Sequence, residues 1–402
     1  MRILLSAGEV SGDVAGARLA RELRKRRGEV SLFGLGGPRM AEAGVEILRD
    51  TNALGTVGIS ESFRVVPGLV RAFASLRRRV LASPPDAAVL IANDIFHVAL
   101  GRWLRGRGVP TLSYFPPQVW IWRSLARAFA PSFDEILTSF PDEERIWRAA
   151  GSSTTFVGHY LGDFLRPATE DQRRRVRESL GLSSGPVVAI LPGSRRQEVR
   201  RLAPVLLDAA RLLHDRNGST RFLLPVADPH FASRIEAEVA RRGLEGAVVT
   251  AVSSHDALRS ADLAILASGT ASLEAALLGT PMVIAYRVAL LTTGVVRSAI
   301  ALGLMDSDTV GLPNLVLGRR AIPERIQRQA TGAEVAAVAL RLLEDESLCE
   351  EQRQSLAEVS RLLFAGGSDA RAAEAVLAAA ERRPVRAPAF GGAVATEEGS
   401  GR

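Results

Sequence analysis

Residues 267–287 read ASGTASLEAALLGTPMVIAYR. The apolar run Leu263–Ala267 leads into a turn of small residues and hydroxyls at Ser268, Gly269 and Thr270. A helical pattern, a Gly-Thr-Pro turn and a second apolar run at Met282–Tyr286 follow. A buried strand that feeds a helix through such a turn leaves unpaired backbone N–H groups and the positive helix end facing outward, which makes a site for phosphate. Glu274 lies four residues beyond Thr270, on the same helix face one turn deeper. A carboxylate there can accept hydrogen bonds from both hydroxyls of a ribose. The turn alone reads equally well as a capped helix with an incidental glutamate; Glu274 and the following turn tip the reading toward a nucleotide.

The same rhythm extends outward in both directions. Runs at Val187–Leu191, Arg221–Val226 and Ala247–Ala251 complete a second series of strands with helices between them. Earlier in the chain, runs at Arg2–Ala7, Ser31–Leu35, Ala87–Ala92, Pro110–Tyr114, Glu135–Ser139 and Thr154–Val157 alternate with helical patterns at Val14–Arg26, Gly68–Ala82 and His97–Gly106. Strand and helix in alternation predict parallel sheets covered by helices on both faces. Between the two series the chain reads GHYLGDFLRPATEDQ, where glycines and a proline precede a charged helix. The expected fold is α/β, with Rossmann-like domains at 1–165 and 166–350 and a ligand in the cleft at the carboxyl ends of their strands. After Thr331 the pattern is helical only. Residues 351–383 are expected to pack back on the first domain, and 384–402 to form a disordered tail.

Size and composition agree with this division. A chain of 402 residues exceeds what one core usually serves, and 47% hydrophobic with 24% charged residues is ordinary for a globular protein. No apolar run reaches the roughly 20 residues that span a bilayer, and the opening MRILLSAGEVSGD turns polar too soon for a signal peptide. A cytoplasmic location is expected. Cys349 is the single cysteine, so there is no internal disulfide and no zinc cluster, in keeping with a reducing compartment. The formal charge is +7 and falls almost wholly on arginine, since Lys25 is the one lysine. Such an excess favours phosphorylated ligands, lipid headgroups or nucleic acid without choosing among them.

Other strand ends carry chemistry too. In Leu191-Pro192-Gly193-Ser194-Arg195, Gly193 lets the backbone approach a ligand, Ser194 can donate, and Arg195 can fork onto diphosphate oxygens and neutralise a departing nucleoside diphosphate. A plain strand-to-helix turn is the competing reading. The first crossing, Ser6-Ala7-Gly8-Glu9-Val10-Ser11-Gly12-Asp13, has neither a GxGxxG fingerprint nor a Walker lysine, which argues against a dehydrogenase or a P-loop enzyme. Ser11 or Asp13 can cap the helix. Glu9 has no capping duty and is expected to face the cleft, and Gly36-Gly37-Pro38 makes another close-approach loop. Trp120 and Trp122 are expected to pack under a rigid loop, and His159, at the junction, is a candidate ligand contact.

Taken in order, AGEVSGD, GGPRM, PPQVWIWR, VGH, LPGSRRQEV, ASGTASLE and LPNLVLGR resemble the lipid-A-disaccharide synthase family, inverting glycosyltransferases of the two-Rossmann GT-B type. The resemblance runs from about Ile3 to the last helices. It implies condensation of UDP-2,3-diacylglucosamine with 2,3-diacylglucosamine 1-phosphate, releasing UDP and forming the β-1′,6-linked disaccharide of lipid A. It implies a UDP site of Gly193, Ser194, Arg195, Ser268, Gly269, Thr270, Glu274 and Asn314, and an acceptor side of Glu9, Ser11, Gly12, Asp13, Gly36, Gly37, Met40 and His159. No cofactor, metal or nucleic-acid partner is implied, and self-association stays open. Because both substrates carry acyl chains, the enzyme is expected at the inner face of the cytoplasmic membrane, peripherally bound to an anionic surface. The stretch Arg64–Arg79, RVVPGLVRAFASLRRR, suits that interface and equally suits an ordinary amphipathic surface helix. One departure stands out: where the family has Ile-Asp-x-Pro-Asp-Phe, this chain reads Ile91-Ala92-Asn93-Asp94-Ile95-Phe96-His97. In register, the family's catalytic aspartate falls on Ala92. Asp94 is the candidate replacement base, with His97 a weaker one, and Glu9 and Arg195 complete the candidate catalytic set. The stretch after Tyr286 also lacks the family's aromatic residues. Competing readings are another GT-B UDP-sugar enzyme, including a UDP-N-acetylglucosamine 2-epimerase, and a non-catalytic paralogue that binds a nucleotide sugar.

Overall fold

The structure, a computed structural model, describes residues 1–51, 59–92, 94–117, 119, 123–182, 185–226, 229–287 and 309–382. The expected tail 384–402, Trp120, Trp122 and residues 288–308 after Tyr286 therefore lie outside the described residues.

Two parallel sheets carry the chain. The first holds β1 (Arg2–Ala7), β2 (Ser31–Gly36), β3 (Glu46–Asp50), β4 (Ala87–Ile91), β5 (Thr111–Tyr114), β6 (Glu135–Thr138) and β7 (Thr154–Phe156), in the order β3-β2-β1-β4-β5-β6-β7. The second holds β8 (Val187–Leu191), β9 (Arg221–Leu223), β10 (Val248–Val249), β11 (Leu263–Ala267), β12 (Met282–Tyr286) and β13 (Glu324–Ile326), in the order β10-β9-β8-β11-β12-β13. In each sheet the order reverses once, between β1 and β4 and between β8 and β11. Those reversals open the crevice in which doubly wound folds bind ligands.

Burial explains why the strands read as unbroken apolar runs. Along β1, Ile3, Leu5 and Ala7 face a core shared with Leu19 and Leu23 of helix Val10–Arg26 and Ala372 and Val376 of helix Ser368–Glu381. Leu4 faces the opposite core, with Leu76 of helix Ile59–Ala82 and Leu104 of helix Asp94–Arg105. In β11, Leu266 meets Leu273 of helix Thr270–Leu277, while Ile265 meets Leu206 of helix Arg196–Arg216. A sheet buried on both faces has no solvent side to impose polar alternation.

Differences from the sequence reading fall at edges and helix starts. Strands β3 and β13 are edge strands, EILRD and ERI, partly exposed and too polar to show as runs. Helix Val10–Arg26 starts four residues before Val14, directly at the expected GEVSGD turn. Gly12 permits this, since a Cβ there would lie 3.1 Å from the Ile91 carbonyl oxygen and 3.3 Å from the Ala7 Cβ. Helix Ile59–Ala82 begins ahead of Gly68 and carries Pro67 inside it.

The last two helices divide between the sheets. Helix Glu346–Leu363 lies against helices Thr270–Leu277 and Leu312–Leu317 of the second half, and helix Ser368–Glu381 crosses to Val10–Arg26 and β4 of the first. The Arg18–Asp369 pair at 2.7 Å and the Arg26–Glu374 pair at 2.9 Å accompany that contact. The return crossing runs beside the outward one. His159 N donates to the Leu363 carbonyl, and the Asp163 carboxylate accepts from Gly367 N, Ser368 N and the Ser368 hydroxyl.

Candidate active site

All four strand ends at the two order reversals carry residues singled out from sequence. Strand β1 ends at Ala7 before Glu9 and Ser11, and β4 ends at Ile91 before Ala92 and Asp94. Strand β8 ends at Leu191 before Gly193, Ser194 and Arg195, and β11 ends at Ala267 before Ser268, Gly269 and Thr270. The two crevices face each other: Arg195 Nη2 donates to Glu9 Oε2 at 3.0 Å, joining residues 186 apart in sequence.

Arg195 is held by two carboxylates, Glu9 and Glu198. Its Nη1 donates to Glu198 Oε1 at 3.1 Å, and its backbone N–H donates to Glu198 Oε2 at 3.3 Å, which closes the first turn of helix Arg196–Arg216. Burial opposes the guanidinium charge, but the Glu9 and Glu198 carboxylates outweigh it and raise the pKa. Gly193 has φ +106, and a Cβ there would lie 2.5 Å from Glu198 Oε2, so only glycine lets the Glu198 side chain fold over the loop. Ser194 is exposed beside it.

In the neighbouring crossing, Gly269 has φ +140 and open space where a Cβ would be, and Thr270 is exposed at the helix start. The hydroxyl of Ser268 is turned away, donating to the Val310 carbonyl at 2.6 Å. Glu274 sits one turn into the helix, with Oε1 3.7 Å from His255 Nε2.

Several residues expected at the ligand make bonds and packing contacts within the scaffold. Asp13 is fully buried, and its carboxylate accepts from the backbone N–H groups of Gly37 at 2.8 Å, Arg39 at 3.1 Å and Met40 at 3.0 Å. It thereby caps the short helix Pro38–Glu42 rather than its own helix. Gly36 and Met40 pack on each other, since a Cβ on Gly36 would lie 2.5 Å from the Met40 sulfur, and Met40 is fully buried. Asn314 is directed inward: its amide nitrogen donates to the Ile322 carbonyl and Glu324 Oε1, both at 2.8 Å, and its oxygen accepts from Ala321 N and Ile322 N. His159 is only 7% exposed among Phe115, Phe140 and Tyr160, and accepts from Leu161 N through Nδ1. Burial lowers its pKa to about 3 against the opposing pull of Asp163, so it stays neutral. Of the first-half set, Glu9 and Ser11 keep the cleft position. Glu9 does occupy the N-cap position of helix Val10–Arg26, but its side chain makes no cap bond; Oε1 accepts from the Ser11 hydroxyl at 2.6 Å.

At the end of β4, Ala92 adopts φ +52, a left-handed conformation uncommon for a residue with a Cβ. Its carbonyl pairs with His97 Nδ1, while His97 Nε2 lies 2.9 Å from the Ser6 hydroxyl. Both ring nitrogens are thus engaged, and burial lowers the His97 pKa to about 4 although the bond to Ala92 opposes this. Asp94 opens helix Asp94–Arg105; its side chain lies outside the described part of the structure.

Two neighbours of this site went unread in the sequence. His255, in the first turn of helix Ser254–Ser260, faces Glu274. Tyr286, at the end of β12, is raised in pKa by burial and by the Glu198 carboxylate while the Arg195 guanidinium opposes the rise. The only sequence signal for either was its position just past or at a strand end.

Two doubly wound sheets, with an arginine and two helix starts where their crevices meet, define a fold of the GT-B class of glycosyltransferases and related epimerases. The UDP-N-acetylglucosamine 2-epimerase of Neisseria meningitidis, solved with UDP-N-acetylglucosamine, superposes with a TM-score of 0.65 over 94% of this chain and all of that one, at 11% identity. A family model described as lipid-A-disaccharide synthetase matches residues 3–378. The lipid-A-disaccharide synthase of Geobacter sulfurreducens is 39% identical over 378 residues, 94% of this chain and 96% of that one. That of Koribacter versatilis is 37% identical over 390 residues, 95% and 100% of the two chains. The chain belongs to the lipid-A-disaccharide synthase family, the hexosyltransferases of lipid A biosynthesis.

Proposed function

We propose that the chain joins UDP-2,3-diacylglucosamine to 2,3-diacylglucosamine 1-phosphate with inversion at the anomeric carbon. The meeting of Arg195 from the second sheet with Glu9 from the first is the observation that carries this reading, because it sets a diphosphate-binding group against the opposite strand ends. Residues 166–350 are assigned the donor. Arg195, Ser194 and the helix start at Gly269–Thr270 take the diphosphate, and Glu274 takes the ribose. Residues 1–165 are assigned the acceptor, whose 6-hydroxyl enters beside Glu9 and Ser11. In the reaction the acceptor oxygen bonds to C1 opposite the leaving group and Asp94 takes its proton. The C1–O bond to UDP breaks, and the electron pair leaves with the diphosphate against Arg195.

Both substrates are lipids, so the cleft must be reached from a membrane surface. Among the described residues no helix is long and apolar enough to cross a membrane. Helix Ile59–Ala82 buries Ala72, Leu76 and Val80 on one face and exposes Val66, Val70, Arg71, Arg77 and Arg78 elsewhere, an arrangement suited to peripheral docking on anionic lipid.

Incubation with both lipid substrates, followed by mass spectrometry, should show the tetraacyl disaccharide 1-phosphate together with UDP. Folded protein that yields no disaccharide, or that converts UDP-N-acetylglucosamine with no acceptor present, would overturn the reading.

A further inference from the structure

The Arg195 guanidinium is held between two carboxylates, one from each half of the molecule. Glu198 is a neighbour on its own helix and doubles as a capping group. Glu9 comes from the far side of the cleft and is itself anchored, since its second oxygen accepts from the Ser11 hydroxyl at 2.6 Å. Glu9 and Glu198 are the carboxylates bonded to Arg195 among the described residues. With one N–H of each terminal nitrogen on a carboxylate, the fork that would face an incoming diphosphate is occupied by Glu9 and Glu198, and the phosphate must displace one of them or share the guanidinium with it.

We propose that Glu9 is a positioning residue that competes with the donor's diphosphate for Arg195, so that nucleotide binding exchanges a carboxylate contact across the cleft for a phosphate contact. The inference rests on the donor assignment made above and adds to it a second role for the first half. Glu9 ties the halves together when the nucleotide is absent, and it takes Arg195 back as UDP departs. Arg195 therefore does not relax into solvent between turnovers. The anchoring by Ser11 matters because it keeps Glu9 within reach of Arg195.

Both partners are partly exposed, so solvent screens the pair and the competition is modest. Glu9→Gln should tighten UDP binding about two- to fivefold, the range expected for an exposed ion pair. Tightening is informative because a variant that merely loosened the fold would bind UDP more weakly. Titration calorimetry with UDP alone, at low salt, on the full-length wild type, Glu9→Gln, Arg195→Gln and the double variant provides the test. The gain should appear in the Arg195 background and vanish in the Arg195→Gln background. A Glu9→Gln protein that binds UDP no more tightly than wild type overturns the competition. So does a gain that persists without Arg195, which would mean that Glu9 only repels the nucleotide through space. A wild type that does not bind UDP sinks the donor assignment itself, and the competition with it.

Discussion

Replacing Asp13 by asparagine tests whether this residue is scaffold or ligand contact. The Asp13 carboxylate is fully buried and accepts three backbone N–H groups of the loop 37–40. An asparagine oxygen in the Oδ1 position would keep Gly37 and Met40, but its NH2 would then point at the Arg39 N–H, donor against donor. Bonds to a charged acceptor contribute about 1.5–3 kcal/mol each, and a buried unsatisfied donor costs about 1–3 kcal/mol. Weakening two such bonds and breaking the third gives a loss of about 3 kcal/mol. At a urea slope of about 3 kcal/mol per molar, the midpoint falls by about 1 M. The natural probe is tryptophan fluorescence: all four tryptophans, Trp103, Trp120, Trp122 and Trp147, lie in the first half of the chain, and Trp147 is fully buried. UDP affinity should hold in the folded variant. An Asp13→Asn protein that unfolds at the wild-type urea concentration yet makes no disaccharide would refute the scaffold assignment.

The remaining predictions concern both halves. His97 and His159 have folded pKa values of about 4 and about 3, below the unfolded value near 6.5, so the unfolded chain binds their protons first. Their contribution to stability is complete above pH 6.5 and is lost as pH falls toward about 4 for His97 and about 3 for His159. Urea midpoints at pH 7 and pH 5 should show this, and His159→Gln should flatten the difference. Asn314→Ala removes four hydrogen bonds, two of them fully buried, and should cost about 2–4 kcal/mol, seen as a lower melting temperature with little change in the donor KM of the folded enzyme. Gly269→Ala has room for its methyl group but must hold φ near +140, a strain of about 1–3 kcal/mol. The turn should shift and UDP binding weaken by about tenfold, read by calorimetry.

What was legible in the sequence follows from burial. LAILA and VVAIL stand out because both faces of their strands are covered, and Leu263–Ala267, Val187–Leu191 and Met282–Tyr286 have the same limits in the structure. EILRD and ERI did not, because an edge strand needs no apolar run. The strand ends were legible as well, since Gly193, Ser194, Ser268 and Gly269 directly follow buried runs. Which way a polar side chain points was not legible. Asn314 and Asp13 have the residue types of ligand contacts, and only the fold shows their bonds closing inward. The Glu9–Arg195 contact was beyond sequence spacing altogether, because it depends on how two separately folded sheets face each other.

The paired crossings near His159 and Leu363 restrict what the cleft can do. Two covalent connections lying side by side act as adjacent pins, leaving one easy rotation about the line they share and resisting slide or twist. Gly158, Gly366 and Gly367, with φ of +81, +72 and +84, sit on those pins, where backbone torsion costs least. Opening the cleft by such a rotation moves its mouth most and its floor least. A ligand at the mouth can then be exchanged while the geometry beside the hinge stays nearly fixed.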